Sequence, residues 1–498
     1  MSENTVIAKA STATATPATR NTPAPDPRRW LALVIVMIGQ LMVVLDATVV
    51  NIAMPSAQHA LNISNPDRQW IVTAYTLTFG GLLLLGGRVA DYVGRKRIFL
   101  IGLIGFAGAS ALGGAAVNAE MLFGARALQG AFGAMLAPAA LSIITVTFTE
   151  ARERAKAFGV FGAVSGGGAA IGLLSGGLLT QYADWRWCLF VNVPVAAIAF
   201  FLAVPIVRES RAEGNTRYDI AGAVLSTVGL AALVYGFTKA ATDGWGATGT
   251  IVTLAISVLL LVGFVWWESR TSHPLLPLRV VLNRNRGASF LTSILLGSGM
   301  MGMFLFMTYY LQGTLHWSAI RTGIGYLPFS AGIIVSAAVA AQLLPRLGAR
   351  VLMTTGGLMT TAAMVWLTRL DLHSSYVGFI LPAFIVMSLG MGLVFVPMGN
   401  ASLTGVSDHD AGVASALVNS SQQVGGSLGT ALLNTIFTTA LAGFITTHGP
   451  AQAVAGAIHG YNVAFTASAI LMAASAVVAF VMIRSKGATD SAVPAFVG

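Results

Sequence analysis

Residues Trp30–Met54, WLALVIVMIGQLMVVLDATVVNIAM, contain a single ionisable side chain, Asp46. About 20 apolar residues in helical conformation suffice to cross the hydrocarbon of a bilayer. The stretch is too long for the apolar region of a cleaved signal, and many similar stretches follow it. Outward from this segment the same character persists. Only 9% of the 498 residues are Asp, Glu, Lys or Arg and 55% are apolar, with a mean hydropathy of +0.77. A soluble chain carries about a quarter charged residues. So few charges cannot coat a soluble globule of this size, which excludes an ordinary soluble enzyme, a disordered protein and a disulfide scaffold. The outer surface must face lipid, and backbone amides in lipid must bond within their own segment, which predicts helices. Alternating ten-residue strands, the mark of a membrane barrel, are absent.

Breaks at charged or turn-rich positions divide residues 30–484 into fourteen expected spans, beginning near positions 30, 68, 97, 120, 155, 187, 218, 249, 287, 322, 350, 376, 410 and 461. The excess of Lys and Arg, 28 against 18 acids, reads as loop anchoring on the cytoplasmic side rather than as a nucleic-acid surface. With the N-terminus inside, 22 basic residues fall in inner loops and tails, 5 (Arg68, Arg186, Lys239, Arg321, Arg369) in outer loops, and Arg126 within a span. That asymmetry predicts an even span count and both termini in the cytoplasm of a multi-pass protein of the cell membrane. The single cysteine, Cys188, allows no disulfide within the chain and fits no metal pattern.

A weak repeat is visible. GGRVADYVGRKR (86–97) resembles AAQLLPRLGARV (340–351), placing Gly94 on Gly348. A glycine-rich span after Arg154 aligns at nearly the same offset with one after Asp410. Duplicated halves of this kind are the usual build of secondary transporters. The expected organisation is a disordered tail at 1–29, a six-helix bundle at 30–207, two inserted helices with a cytoplasmic loop at 208–286, a second six-helix bundle at 287–484 and a tail at 485–498.

Five motifs then stand in order: LDATVVNIAMP (Leu45–Pro55), GRVADYVGRKR (Gly87–Arg97), RALQGAFGA (Arg126–Ala134), GAAIGLLSGG (Gly168–Gly177) and WRWCLFVNVP (Trp185–Pro194). With them the chain resembles the fourteen-span drug:proton antiporters of the major facilitator superfamily. The resemblance implies a major facilitator fold, all-α and membrane-integral, with two six-helix bundles plus two inserted helices. It also implies proton-coupled export of hydrophobic drugs, antibiotics or secondary metabolites by alternating access. One departure stands out. Leu173 occupies the position of a proline in the family's fifth-span motif, which leaves open a proton symporter or facilitator for a small nutrient. A third class, a non-transporting sensor, would be expected to carry a sizeable signalling domain, and the expected tails are short.

Asp46 and Arg126 are the acid and the base that lie well inside spans. At 1.5 Å per residue they lie at similar depth, roughly 13 and 10 Å from the outer ends of spans 1 and 4, so they can pair directly or through water. A dry site favours the neutral carboxyl and a facing cation favours the carboxylate. The pair is therefore the expected proton-coupling centre. The structural alternative is an Asp46 bonded to Thr48 and Asn51 near a helix end.

Gly87, Asp91, Gly94, Arg95 and Lys96, with Arg97, form the second constellation. Gly94 permits a tight turn, and Asp91 is expected to accept from Arg95 and from a helix N-terminus. The resemblance implies a cytoplasmic latch. Gly168, Gly172 and Gly176, with Gly177, form a small-residue face that lets another helix approach; by resemblance the contact joins the two halves. Cavity-lining residues are expected among Tyr75 (span 2), Met303 and Tyr309 (span 9) and Asn419, Gln422 and Gln423 (span 13), with Met300, Phe304, Tyr310 and Gln312 as further members. No GxxxxGK[ST] loop is present, so no cofactor or metal is expected and the drive is the proton gradient. The expected partners are a small hydrophobic substrate, protons and lipid, with no nucleic acid, for a chain acting as a monomer and not as an enzyme.

Overall fold

The computed structural model describes residues 27–484 apart from 149, 212–218, 273, 277 and 404–407. The expected tails therefore lie almost wholly outside the described residues. What is described is built from helices, with no strand. Their order is α1 (Arg29–Ala60), α2 (Trp70–Val93), α3 (Arg95–Gly114), α4 (Ala119–Thr147), α5 (Ala151–Tyr182) and α6 (Trp187–Ile206). Next come α7 (Ile220–Asp243), α8 (Thr248–Glu268), α9 (Arg284–Thr314), α10 (Ala319–Leu367), α11 (Tyr376–Ser402), α12 (Asp408–His448) and α13 (Ala453–Met482).

Local chemistry sets several boundaries. Asn118 accepts from the Met121 amide at 2.9 Å and opens α4. Asp219 accepts from the Gly222 amide at 2.8 Å and opens α7, as residues of these types do at helix starts. Gly94, at φ 128°, divides α2 from α3. Its repeat partner Gly348, at φ 75° and ψ 163°, interrupts the 49 residues of α10 in the same way. Both glycines hold a backbone region that a Cβ disfavours, so the repeat read from sequence is a repeat of turn geometry.

Among the described residues, 11 helices are long and apolar enough to cross a membrane, or 12 if the two parts of the bent α2 form one span. The count of fourteen is thus not reached by length and composition. It would require the glycine-rich α5 and a division of α10 at Gly348 as well.

Helices α1–α6 pack into one bundle and α9–α13 into another. Phe99, Leu103, Phe106 and Leu136 fill the first core, and Phe306, Phe437, Phe465 and Met472 the second. The bundles meet along two seams, α2 with α12 and α5 with α10. Helix α7 lies on the first seam. It touches both α2 and α12, with Thr227 Oγ1 donating to the Gly81 carbonyl at 3.3 Å and Thr435 Oγ1 of α12 donating to the Phe237 carbonyl at 2.9 Å. Helix α8 packs on α7 and presents Ile251, Ile256, Leu259, Val262 and Trp266 outward. That outward apolar surface is the arrangement a bilayer requires.

Candidate functional site

Asp46 and Arg126 are each 1% exposed. Arg126 Nη1 donates to Asp46 Oδ2 at 2.6 Å. The other carboxylate oxygen, Oδ1, accepts from Gln129 Nε2 and from Asn192 Nδ2, both at 2.9 Å. Gln129 Oε1 accepts in turn from Arg126 Nη1 at 2.9 Å. Ser110 Oγ closes the ring, accepting from Gln129 at 2.9 Å and Asn192 at 3.0 Å and donating to the Leu189 carbonyl at 2.7 Å. Arg126 Nε donates to the Ile71 carbonyl at 3.0 Å, and its guanidinium lies 4.5 Å from the centroid of the Tyr75 ring. The site thus gathers α1, α2, α3, α4 and α6. Burying a charge pair is costly unless the geometry is good and the remaining donors and acceptors are filled, and this cage fills both carboxylate oxygens.

Of the two pairings the sequence allows, the direct one is present, and every named partner of the pair belongs to the first bundle. Thr48 and Asn51 do not hold Asp46, because their side chains bond back to Val44, Leu45 and Ala47 of their own helix. Gln129, Ser110 and Asn192 escaped the sequence reading, although Gln129 and Asn192 stand within the quoted motifs. The available signal was their polarity at membrane depth, where such groups need partners. A small apolar pocket adjoins the pair, lined by Val50, Met54, Ile71, Leu122, Trp185 and Cys188 with Arg126 at its wall. It offers few polar partners to a water molecule.

The α2–α3 turn also differs from expectation. Asp91 Oδ1 does accept from Arg95 Nε, at 2.9 Å. The N-terminus of α3, however, is occupied by Glu209, which accepts from the Lys96 and Arg97 amides at 3.1 and 3.2 Å. The Arg95 amide donates to the Ser210 carbonyl and Lys96 Nζ to the Val204 carbonyl. Gly87 faces Pro138. These contacts stay within the first bundle and its exit loop.

The glycine stripe is likewise redirected. A Cβ on Gly168 would meet Leu41 and Val44, on Gly172 Thr48, and on Gly176 the backbone of Val49. The stripe therefore seats α5 against α1 inside the first bundle. Its small residues let the two backbones approach, but the contact between bundles is made by the neighbouring face. A Cβ on Gly177 would come within 2.7 Å of Ile320 Cα, and one on Gly323 within 2.4 Å of the Leu173 carbonyl.

The expected cavity residues scatter. Tyr75 belongs to the buried pair's cage. Met303 is fully buried in the second core. Tyr309 sits where the bundles close, its hydroxyl donating to Gln58 Oε1. Gln423 lies at the α2–α12 seam, where its Cβ would be 3.0 Å from a Cβ on Gly80. The Gln422 backbone carbonyl abuts Gly297, and Asn419 is exposed.

Several bonds between bundles gather at the end that carries the α1–α2 connection. Gln312 Nε2 donates to the Ile52 carbonyl at 3.1 Å, the Ile320 amide to Gln181 Oε1 at 3.3 Å, and Arg68 Nε to Asn434 Oδ1 at 3.2 Å. Arg68, counted in an outer loop from the sequence, lies at this end and is 2% exposed.

Comparison with known proteins gives a consistent result. Residues 36–430 match the Major Facilitator Superfamily. Puromycin resistance protein pur8 of Streptomyces alboniger is 52% identical over 467 residues, 93% of each chain. Cephamycin export protein CmcT of Amycolatopsis lactamdurans is 37% identical over 450 residues, covering 90% of this chain and 91% of that one. Among solved structures, a bacterial homolog of the human lysosomal transporter Spinster, in an inward-facing and occupied conformation, superposes with a TM-score of 0.65. It is 16% identical and the match covers 91% of this chain and 96% of that one.

Proposed function

Because the chain belongs to the Major Facilitator Superfamily, we propose that it exports hydrophobic small molecules, antibiotics or secondary metabolites, across the cell membrane in exchange for protons. It is a membrane transporter and not an enzyme. The direction of transport is read from its relatives, one named for puromycin resistance and one for cephamycin export.

The observation that carries the reading is the caged Asp46–Arg126 pair. A proton arriving on Asp46 neutralises the carboxylate that holds Arg126, Gln129 and Asn192, and so loosens the joint between α1, α4 and α6. A deprotonated Asp46 draws the same donors back. One titratable site buried where several helices cross couples proton binding to their packing. With one such carboxyl, about one proton moves per cycle. At roughly 150 mV that supplies about 3.5 kcal/mol, enough for roughly a 300-fold gradient of a neutral solute.

Alternating access is supported by the two bundles and their two seams. The distribution of basic residues supports an orientation with the closed α1–α2 end outside and both termini in the cytoplasm, and counting α5 and dividing α10 at Gly348 would bring the spans to fourteen. The turn from Gly87 to Lys96 then lies on the cytoplasmic side and serves as the latch of the opposite state. Gln423, with Asn419 and Gln422 beside it on α12, supplies polar groups to the substrate path. Neutral or weakly charged compounds suit a path with so few acids. The deciding experiment is a drug-susceptibility panel in an efflux-deficient host, comparing the native chain with Asp46→Asn. Protection by the native chain and its loss in the variant support the reading, and equal protection by both removes it.

A further inference from the structure

Arg68 stands immediately before α2, on the first bundle, yet its guanidinium is embedded in the second. Its Cζ lies 4.0 Å from the centroid of the Tyr309 ring and 4.7 Å from that of Phe437. Those rings belong to α9 and α12. Nε donates to Asn434 Oδ1, and Asn434 Nδ2 donates back to the Asn65 and Pro66 carbonyls at 3.2 Å each. Nη2 meets no hydrogen-bond acceptor. Among the described residues, no carboxylate lies within ion-pair distance of this buried cation. A desolvated guanidinium without an anion is costly, and aromatic faces are the compensation that remains. That compensation exists only while the bundles are together, since the cation comes from one and the rings from the other.

We propose that Arg68, gripped between Tyr309 and Phe437, is the outer latch of the transport cycle, whose cation–ring contact sets the balance between the closed and open outer end. The proposal rests on the alternating-access reading. Opening parts the guanidinium from both rings and returns it to water. Closing strips that water and restores the rings. Asn434 and the Asn65–Pro66 carbonyls fix the register, so the cation re-enters between the same two faces.

The test is a double-mutant cycle on the full chain in nanodiscs. Spin labels are placed at Tyr182→Cys and Leu372→Cys, which are 74% and 48% exposed at the outer end, in a Cys188→Ala background. Distance distributions report the open and closed fractions. Phe437→Leu keeps apolar bulk and removes a ring. It is expected to shift the ratio about tenfold toward open. In an Arg68→Met background the same change is expected to shift it less than twofold, because the ring has no cation to hold. Equal shifts in both backgrounds would mean ordinary packing and would overturn the latch. Should Arg68→Met not fold, Arg68→Gln takes its place with the same expectation. If the native protein shows one outer distance at every pH and also with Asp46→Asn, alternating access itself fails and the latch with it. Two distances without coupling sink the latch alone.

Discussion

Asp46 and Arg126, 80 residues apart in the chain, meet at 2.6 Å inside a single bundle with both carboxylate oxygens occupied. The pair is therefore a joint within the first bundle, and any effect on the second bundle has to pass through helix packing. Its role can be separated from its contribution to folding by experiment.

Asp46→Asn leaves Arg126 buried beside a neutral amide. Breaking one side of a buried pair costs about 3–5 kcal/mol, so the melting temperature in detergent should fall. Asp46→Asn combined with Arg126→Gln should recover much of that stability. Neither variant should drive export in proteoliposomes under an imposed proton gradient. Export by the stabilised double variant at native rate would remove Asp46 from the coupling.

Asn192→Leu deletes one donor to Asp46 Oδ1 and one to Ser110 Oγ. Hydrogen bonds to charged groups contribute about 1.5–3 kcal/mol. Thermal unfolding should register a loss of that order, and transport should fall less than with Asp46→Asn. A variant as inactive as Asp46→Asn but fully stable would show that Asn192 takes part in the coupling step itself.

Gly177→Val intrudes on the backbone of Ile320 and Ala319 across the seam. Gly172→Val intrudes on Thr48 within the first bundle. Spin-label distances at the outer end should lengthen for the first, with only a small loss of stability. The second should lower the melting temperature and the folded yield, as overpacking costs typically 1–3 kcal/mol. Gly108→Ala, with nothing near its added carbon, serves as the control and should be neutral or slightly stabilising.

Gly94→Ala and Gly348→Ala place a side chain where φ is 128° and 75°. Strain of about 1–3 kcal/mol is expected at each. In the Gly94 variant the Cβ would also come within 2.7 Å of the Glu209 carboxylate, which then has to move away from the amides it caps. Thermal unfolding of the two single variants measures each loss directly.

The fold was legible where composition alone decides it, in the long apolar runs and in two glycines that recur between half-repeats. Asp46 and Arg126 were legible because an isolated charge in an apolar run has to find a partner. Their cage was not, because Ser110 and Asn192 are single polar residues whose meeting depends on how α3 and α6 pack. The stripe of Gly168, Gly172 and Gly176 announces a close approach without saying by what, and the approaching helix is α1. The burial of Arg68 was not legible for a related reason. A loop position in the chain does not fix a solvent-exposed position in space, and two rings far along the sequence cover it.

Helix α7, with α8 on its back, lies along the α2–α12 seam and touches both sides of it, whereas among the described residues neither inserted helix packs on the α5–α10 seam. The molecule is therefore not two-fold symmetric toward the surrounding lipid. A greasy solute dissolved in the leaflet would meet one flank screened by an extra pair of helices and, among the described residues, the other without such a screen.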